Sequence, residues 1–376
     1  MRSVIGYMKL DRSSLVEDSF LGLGTTCLES RRLGIPSCGY ELNPFAFRIA
    51  RARVAWNFDE EDMETELSRL GNSVPVQSVP ASFARWFPPG DLTPKEILAI
   101  GEGAKQIVNR DLRDFLLAAT LLCLRRQALA KIGSNPAWIR IAEKLDRRRP
   151  KFYNALRAKS HDMFADQLQI RGDIRTPVKI HEGDILAAQP DGKVSAIISS
   201  PPYLSRLDYV MAYRIENDFL ATLHFAPSPE ELRSKLVGGV IKKRESTNLK
   251  PREEWGSLSN EILGQVKDHK SKASKDYYYP LMLSYFDGIY RWLERSWASL
   301  TKAGAAVIVV QSSYYKDIPI PLPSILVQAA NNAAFKRTRV LHRSIVKDHI
   351  GKIDPDQRAH ASDKVLWEEV LEFRKA

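Results

Sequence analysis

Residues 199–203, Ser-Ser-Pro-Pro-Tyr, follow the apolar run Val-Ser-Ala-Ile-Ile, so a buried strand ends in two prolines and a tyrosine. Each proline fixes its own φ and lacks an N–H, which stiffens the segment and leaves its carbonyls free of ladder pairing. That arrangement suits one kind of chemistry. The exocyclic amine of a nucleobase has its lone pair delocalised into the ring and is a poor nucleophile. Two acceptors, the Ser200 side chain and the Pro201 carbonyl, would hold its two hydrogens out of plane and localise the lone pair towards an electrophile. Pro202 keeps the turn rigid, and Tyr203 is placed to stack on the base once it has been flipped out of its helix. The competing reading of the same residues is a rigid Pro-Pro turn with a packing tyrosine.

A second chemical segment lies near the start of the chain, Asp18-Ser-Phe20-Leu-Gly22-Leu-Gly24-Thr25-Thr26. Glycines between a strand and a helix let the backbone turn tightly and approach a ligand, and the helix start beyond them offers free N–H groups. Glu41 lies nineteen residues after Gly22. At the end of a second strand, a carboxylate there can accept hydrogen bonds from both ribose hydroxyls of a nucleoside cofactor. A bare Gly-x-Gly is equally well a plain turn. Asp184, in the Gly183-Asp184 turn, can accept from an adenine amino group or simply serve as a turn or cap aspartate.

The elements that must position these residues are legible in outline. Residues 14–18 and 35–42 read as strands, and 25–34 and 44–56 as helices, the second opened by Pro44. From 60 to about 170 the pattern is helical, with 104–132 as its clearest segment, ended by Gly133 and Pro136. Strand signals return at 176–184, 194–200 and 303–313, the last after a helical stretch at 277–300. Residues 335–346 and 365–375 suit an antiparallel pair at one edge. The predicted fold is α/β, an open and mostly parallel sheet interrupted by a helical insertion. The expected divisions are 1–59, an insertion at 60–172, and 173–376.

Composition limits the classes. The chain has 376 residues, 44% of them apolar and 27% charged, as expected for one large globular domain with an insertion or for two domains. The apolar run 115–124 is too short to cross a bilayer and no signal-peptide pattern opens the chain, so it reads as cytoplasmic with no membrane partner. Cys27, Cys38 and Cys123 form no CxxC and no His/Cys cluster, which predicts packing thiols and no metal site. The net charge of +11 is uneven. Between Arg125 and Lys159 eleven Lys/Arg face two acids, and between Arg233 and Lys275 eleven face five, including Lys242-Lys243-Arg244. Either run alone is as well a solvated helix face; together they point to a polyanion, most simply nucleic acid.

DSFLGLGTT, ELNP, GD and SSPPY, in that order, resemble the amino-group DNA methyltransferases that use S-adenosyl-L-methionine, and especially their N4-cytosine branch, whose usual tetrapeptide is SPPY. The resemblance covers roughly 14–57 and 176–313. It implies a Rossmann-like class I methyltransferase fold. It further implies cofactor binding by Asp18, Phe20, Gly22, Gly24, Thr25, Glu41 and Asp184, and a target-base site at Ser200, Pro201, Pro202 and Tyr203. DNA is the implied partner, alongside a cognate restriction enzyme or a defence-system subunit. The implied reaction is direct methyl transfer to a flipped cytosine, needing no metal. The chain has no Pro-Cys dipeptide and so lacks the nucleophile motif of carbon-5 methylation.

Two features depart from the family. Its members carry a segment that closes the cofactor pocket upstream of the glycine motif, and only seventeen residues precede Asp18. The gap between Gly24 and Ser200 holds an insertion, which is where one class of these enzymes carries its target-recognition region; the segment 204–275 competes for that role. Alternatives are N6-adenine or RNA base-amine methylation, and a non-catalytic nucleic-acid-binding subunit with a degenerate cofactor pocket. An NAD-dependent enzyme is disfavoured because the first turn is GLGTT rather than GxGxxG.

Overall fold

The structure is a computed structural model that describes residues 1–132, 139–144, 149–170, 175–204, 208–237, 249–346 and 365–375. Seven strands form one mixed sheet: β1 (Val16–Asp18), β2 (Ser37–Glu41), β3 (Val178–Glu182), β4 (Val194–Ser199), β5 (Leu300–Gln311), β6 (Arg337–Ile345) and β7 (Trp367–Arg374). Their spatial order is 3-2-1-4-5-7-6. Strands β1 to β5 run parallel, and β7 is antiparallel to both β5 and β6. Each strand but one lies within the segment the sequence marks for it, and the C-terminal antiparallel pair forms as expected; β5 begins at Leu300, three residues ahead of the expected 303–313.

The apolar runs of β4 and β5 fit this sheet because a parallel strand is covered on both faces. Helices Ser257–Asp268, Tyr279–Ser299 and Leu322–Asn332 pack on one face, around a core that includes Tyr40, Ile197, Ala306, Ile308 and Phe373. On the other face Leu21, Cys27, Phe47, Ala50 and Ile180 pack together, as do Ile5, Val16, Ile35, Ala196 and Ile198. The residues before β1 contribute one short helix, Arg2–Tyr7, to that face. All three cysteines are buried and unbridged. No helix among the described residues is long and apolar enough to cross a membrane.

The insertion corrects two expectations. Residues 104–132 are not one helix. Thr93–Lys105 ends, and Arg110–Gln127 begins afresh because the Asn109 side chain accepts from the N–H groups of Asp111 and Leu112. Apolar periodicity runs through the break because both helices bury against the same core, which hides the cap from a pattern search. Nor is the insertion all helical. Past Gln127 the Trp86 carbonyl accepts from Leu129 N–H, and Ala130–Ile132 pairs antiparallel with Ile139–Ile141. Gly133 and Pro136 lie outside the described residues.

The insertion is also not separate from the sheet. Its core of Met63, Leu67, Phe83, Phe115 and Leu116 takes in Phe45 and Ile49 of helix Pro44–Arg53, and Ile215 and Phe219 of Arg214–Thr222. The fully buried Asp114 carboxylate accepts from Arg48 Nη1 at 2.8 Å and from Arg51 Nε at 2.9 Å. An ion pair buried this deeply stands only when both partners are present.

Candidate functional site

In open α/β sheets, ligands bind beyond the carboxyl ends of the strands, where the strand order reverses. Here the chain proceeds outward from β1 through β2 to β3 and then returns to β4 on the other side of β1. The loops leaving β1 and β4 therefore diverge. Asp18 ends the first of these strands and Ser199 the second.

Asp18 is buried and fixes both loops. Its Oδ1 accepts from the Ser199 hydroxyl at 2.7 Å and from Phe20 N–H at 3.2 Å, and its Oδ2 accepts from the Thr26 hydroxyl. Burial raises its pKa to about 6. Both oxygens are thus occupied by the chain itself, so the first loop is held against the strand that delivers Ser200. Phe20 sets its ring edge-on to Trp292, with centroids 5.2 Å apart.

The glycines behave differently from one another. Gly24 has φ +84° and precedes helix Thr25–Arg32, and a Cβ there would lie 2.9 Å from the Ala50 Cβ. Close helix packing and a left-handed turn both require glycine at that position. Gly22 has φ +55°, and nothing lies within 4 Å of where its Cβ would be, so its backbone borders open space. Thr25, exposed at the first position of the helix, accepts from Arg53 Nη1 at 3.3 Å.

Glu41, at the end of β2, reaches under this loop. One carboxylate oxygen accepts from Gly22 N–H and the other from Asn43 N–H, each at 2.7 Å. Burial pushes its pKa up to about 7, and the nearby Asp18 charge adds to the rise. Gly183 N–H donates to the Glu41 carbonyl at 2.9 Å, which places Asp184 beside the same strand end. Asp184 Oδ1 accepts from Leu186 N–H at 2.9 Å; Oδ2 receives no hydrogen bond among the described residues.

The segment after β4 is anchored from two sides. The buried Tyr285 hydroxyl donates to the Pro202 carbonyl at 2.8 Å. The exposed Ser200 hydroxyl donates either to the Val309 carbonyl of β5 at 3.2 Å or to the Tyr203 hydroxyl oxygen at 3.3 Å. With its proton on Val309, Ser200 Oγ keeps lone pairs for another donor. The Pro201 carbonyl receives no hydrogen bond among the described residues. Tyr203 is half-buried against the core below, and burial raises its pKa.

Sequence reading missed several residues that complete this geometry. Tyr209, exposed at the start of helix Tyr209–Ala212, lies near enough to Tyr203, Tyr213 and Glu41 that their charges add to the burial that raises its pKa. Asn43 donates through Nδ2 to the Tyr209 carbonyl at 3.2 Å while its Oδ1 accepts from Phe45 N–H. It therefore ties the end of β2 to the segment beyond Tyr203. Asn43 stands in the quoted ELNP, and its cap position before Pro44 was a usable signal. Nothing local marks Tyr285 or Tyr209.

The basic block is partly neutralised on folding. Arg125 pairs with Glu216 at 2.5 Å, Arg149 with Asp91 at 2.7 Å, and Arg157 with Glu64 at 3.1 Å. Arg126, Lys131, Arg140, Lys144 and Lys151 are exposed and make no ion pair among the described residues. Arg147 and Arg148 lie outside the described residues, as do Lys242, Lys243 and Arg244. In the second zone Arg233 is taken up by Asp208 at 2.7 Å. A cleft of about 530 Å³, bordered by Arg48, Arg110, Arg113, Glu182 and Phe225, opens at the edge of β3 and includes neither Ser200 nor Gly22.

No protein-family model matches the chain, and no curated protein matches it either.

Proposed function

We propose that this chain is a class I methyltransferase that uses S-adenosyl-L-methionine to methylate the exocyclic N4 amine of cytosine in DNA. The observation that carries the reading is the hydrogen bond from Ser199 to Asp18, which ties the strand that delivers Ser200, Pro201 and Tyr203 to the loop of Gly22, itself held by Glu41, whose carbonyl accepts from the Gly183 N–H next to Asp184. The strand order 3-2-1-4-5-7-6, with β7 reversed, supports the class I assignment.

The residues fit the cofactor. Gly22 borders open space where a side chain would stand. Glu41 has a second lone pair on each oxygen for ribose hydroxyls, and Asp184 Oδ2, which receives no hydrogen bond among the described residues, can accept from an adenine amine. When bound, the cofactor supplies an electrophilic methyl group on a sulfonium.

The chain's own contribution is position and polarity. Ser200 Oγ and the Pro201 carbonyl accept from the two hydrogens of the target amine, which localises its lone pair. The Tyr285 hydrogen bond to Pro202 and the two proline rings prevent that pair of acceptors from rotating away. Tyr203 and Tyr209 offer ring faces to a flipped base. The Ser-Pro-Pro-Tyr form supports cytosine as the target; an adenine or an RNA base amine would meet the same acceptors.

Isothermal titration of the whole chain with S-adenosylmethionine tests the reading. Wild type is expected to bind in the micromolar range and Gly22→Asp, which sets a second carboxylate beside Glu41, to lose binding. Absence of binding by the wild type would sink the proposal and favour a non-catalytic nucleic-acid-binding subunit. Mass analysis of DNA and RNA nucleosides after reaction then identifies the methylated base.

A further inference from the structure

The hairpin formed by Ala130–Ile132 and Ile139–Ile141 sets Lys131 directly opposite Arg140. Side chains alternate along a strand, and Ala130 and Ile139 pack on the insertion's helical core. Lys131 and Arg140 therefore share the solvent face, where both are exposed and neither side chain has an ion pair or hydrogen bond among the described residues. Like charges directly opposite on an antiparallel pair destabilise it, and a hairpin this small has little stability to spare. Among the described residues no acidic side chain pairs with either of them. Arg126, Lys144 and Lys151, on the chain flanking the hairpin, are also exposed and unpaired among the described residues.

The hairpin's position gives the charge pair a use. Helix Arg110–Gln127 leads into it, and Arg125 in the last turn of that helix donates to the Ala212 carbonyl at 2.6 Å. Ala212 closes the short helix that begins at Tyr209, beside Tyr203. Lys131 lies six residues after Arg125, so the chain separates them by at most about 20 Å. That span matches roughly six base steps of duplex at ~3.4 Å each.

We propose that Lys131 and Arg140 form a clamp for the phosphate backbone of duplex nucleic acid flanking the base presented to Ser200 and Tyr203. The assignment of the flanking position rests on the methyltransferase reading; the clamp itself rests on the hairpin. Phosphates between the two cations turn the repulsion into paired attraction and release counterions, a contribution that carries no base specificity.

Fluorescence anisotropy with a labelled 30-base-pair duplex across a salt series tests the clamp. The variants are Lys131→Gln/Arg140→Gln and, as a control at the amino end of β5, Lys302→Gln. The double variant is expected to weaken binding at least tenfold at low salt and to reduce the slope of log affinity against log salt by about 1.8, two phosphates' worth. Its thermal midpoint should not fall, because a repulsion has been removed. Lys302→Gln should leave the slope unchanged. An unaltered affinity and slope in the double variant, or a wild type that binds no duplex, overturns the proposal. Titrating the same samples with S-adenosylmethionine keeps the two readings apart. Donor binding with an unaffected slope overturns the clamp alone, whereas a reduced slope without donor binding overturns the methyltransferase reading and supports the clamp.

Discussion

At the residue scale, Glu41 carries the clearest pH signature. Burial beneath the glycine loop holds its pKa near 7, above the ordinary carboxylate range, so near neutrality part of the population is protonated. A protonated carboxyl has lost acceptor capacity for ribose hydroxyls, and hydrogen bonds to the ionised form favour that form. Cofactor binding should therefore release protons and strengthen as pH rises from 6 to 8. The gain is at most about tenfold over that range, since one group near pKa 7 changes its ionised fraction by that factor. Calorimetric titration in buffers of different ionisation enthalpy measures both effects, and Glu41→Gln should flatten the profile. An affinity independent of pH in the wild type would remove Glu41 from the cofactor site.

At the scale of elements, the turn between β1 and helix Thr25–Arg32 separates two uses of glycine. Gly24 is needed by the fold, since its Cβ would press on Ala50 and its φ is left-handed. Gly24→Ala should cost about 2–3 kcal/mol, combining overpacking with backbone strain. Gly22→Ala has open space before it and should cost only about 1 kcal/mol from its positive φ. The order should reverse for binding of the proposed cofactor, because of the two only Gly22 has open space at its Cβ position. Thermal melts and donor titrations on the two variants read out this crossing, and it fails if Gly22→Ala proves the more destabilising of the two. Sequence placed both glycines in one motif. Their different roles depend on helix Pro44–Arg53, which brings Ala50 against one of them and nothing against the other.

For the whole molecule, the question is whether the insertion is a module or part of one cooperative unit. Helix Pro44–Arg53 is buried from both sides: Phe47 and Ala50 face the sheet, and Phe45 and Ile49 face the insertion core. Asp114 reinforces the junction by holding Arg48 and Arg51 of that helix. Asp114→Ala leaves the buried Arg48 and the partly buried Arg51 with only their more distant acids, Glu182 at 3.8 Å and Asp111 at 3.4 Å, and should destabilise by about 3 kcal/mol. Because the cores share a helix, loss should be felt in both, as one shifted transition. Fluorescence dominated by Trp86 in the insertion and by Trp292 on the sheet, read in single-tryptophan variants, should give coincident midpoints; separate midpoints would show a module that unfolds alone. The expected division at 60–172 follows the change of periodicity along the chain, but the burial of Phe45, Ile215 and Phe219 in the insertion core crosses it.

What the sequence determined by itself is what short-range physics writes into it. Strands ending at Asp18, Glu41 and Ser199 follow from apolar runs bounded by turn residues. The glycine turn, the Asn43-Pro44 helix start and the stiff Ser200–Tyr203 segment follow from backbone chemistry within a few residues. The tertiary structure decided the pairings between distant residues. Asp18 meets Ser199 across 181 positions, Tyr285 meets Pro202 across 83, and Arg125 meets Glu216 across 91. No periodicity encodes those meetings, since the first two exist only after strand order brings the carboxyl ends together and the third only after helices Arg110–Gln127 and Arg214–Thr222 pack in one core. The same reason explains the charge. Counting found an excess of Lys and Arg between 125 and 159, but which of them remain free for a polyanion depended on whether Glu216, Asp91 and Glu64 folded against them.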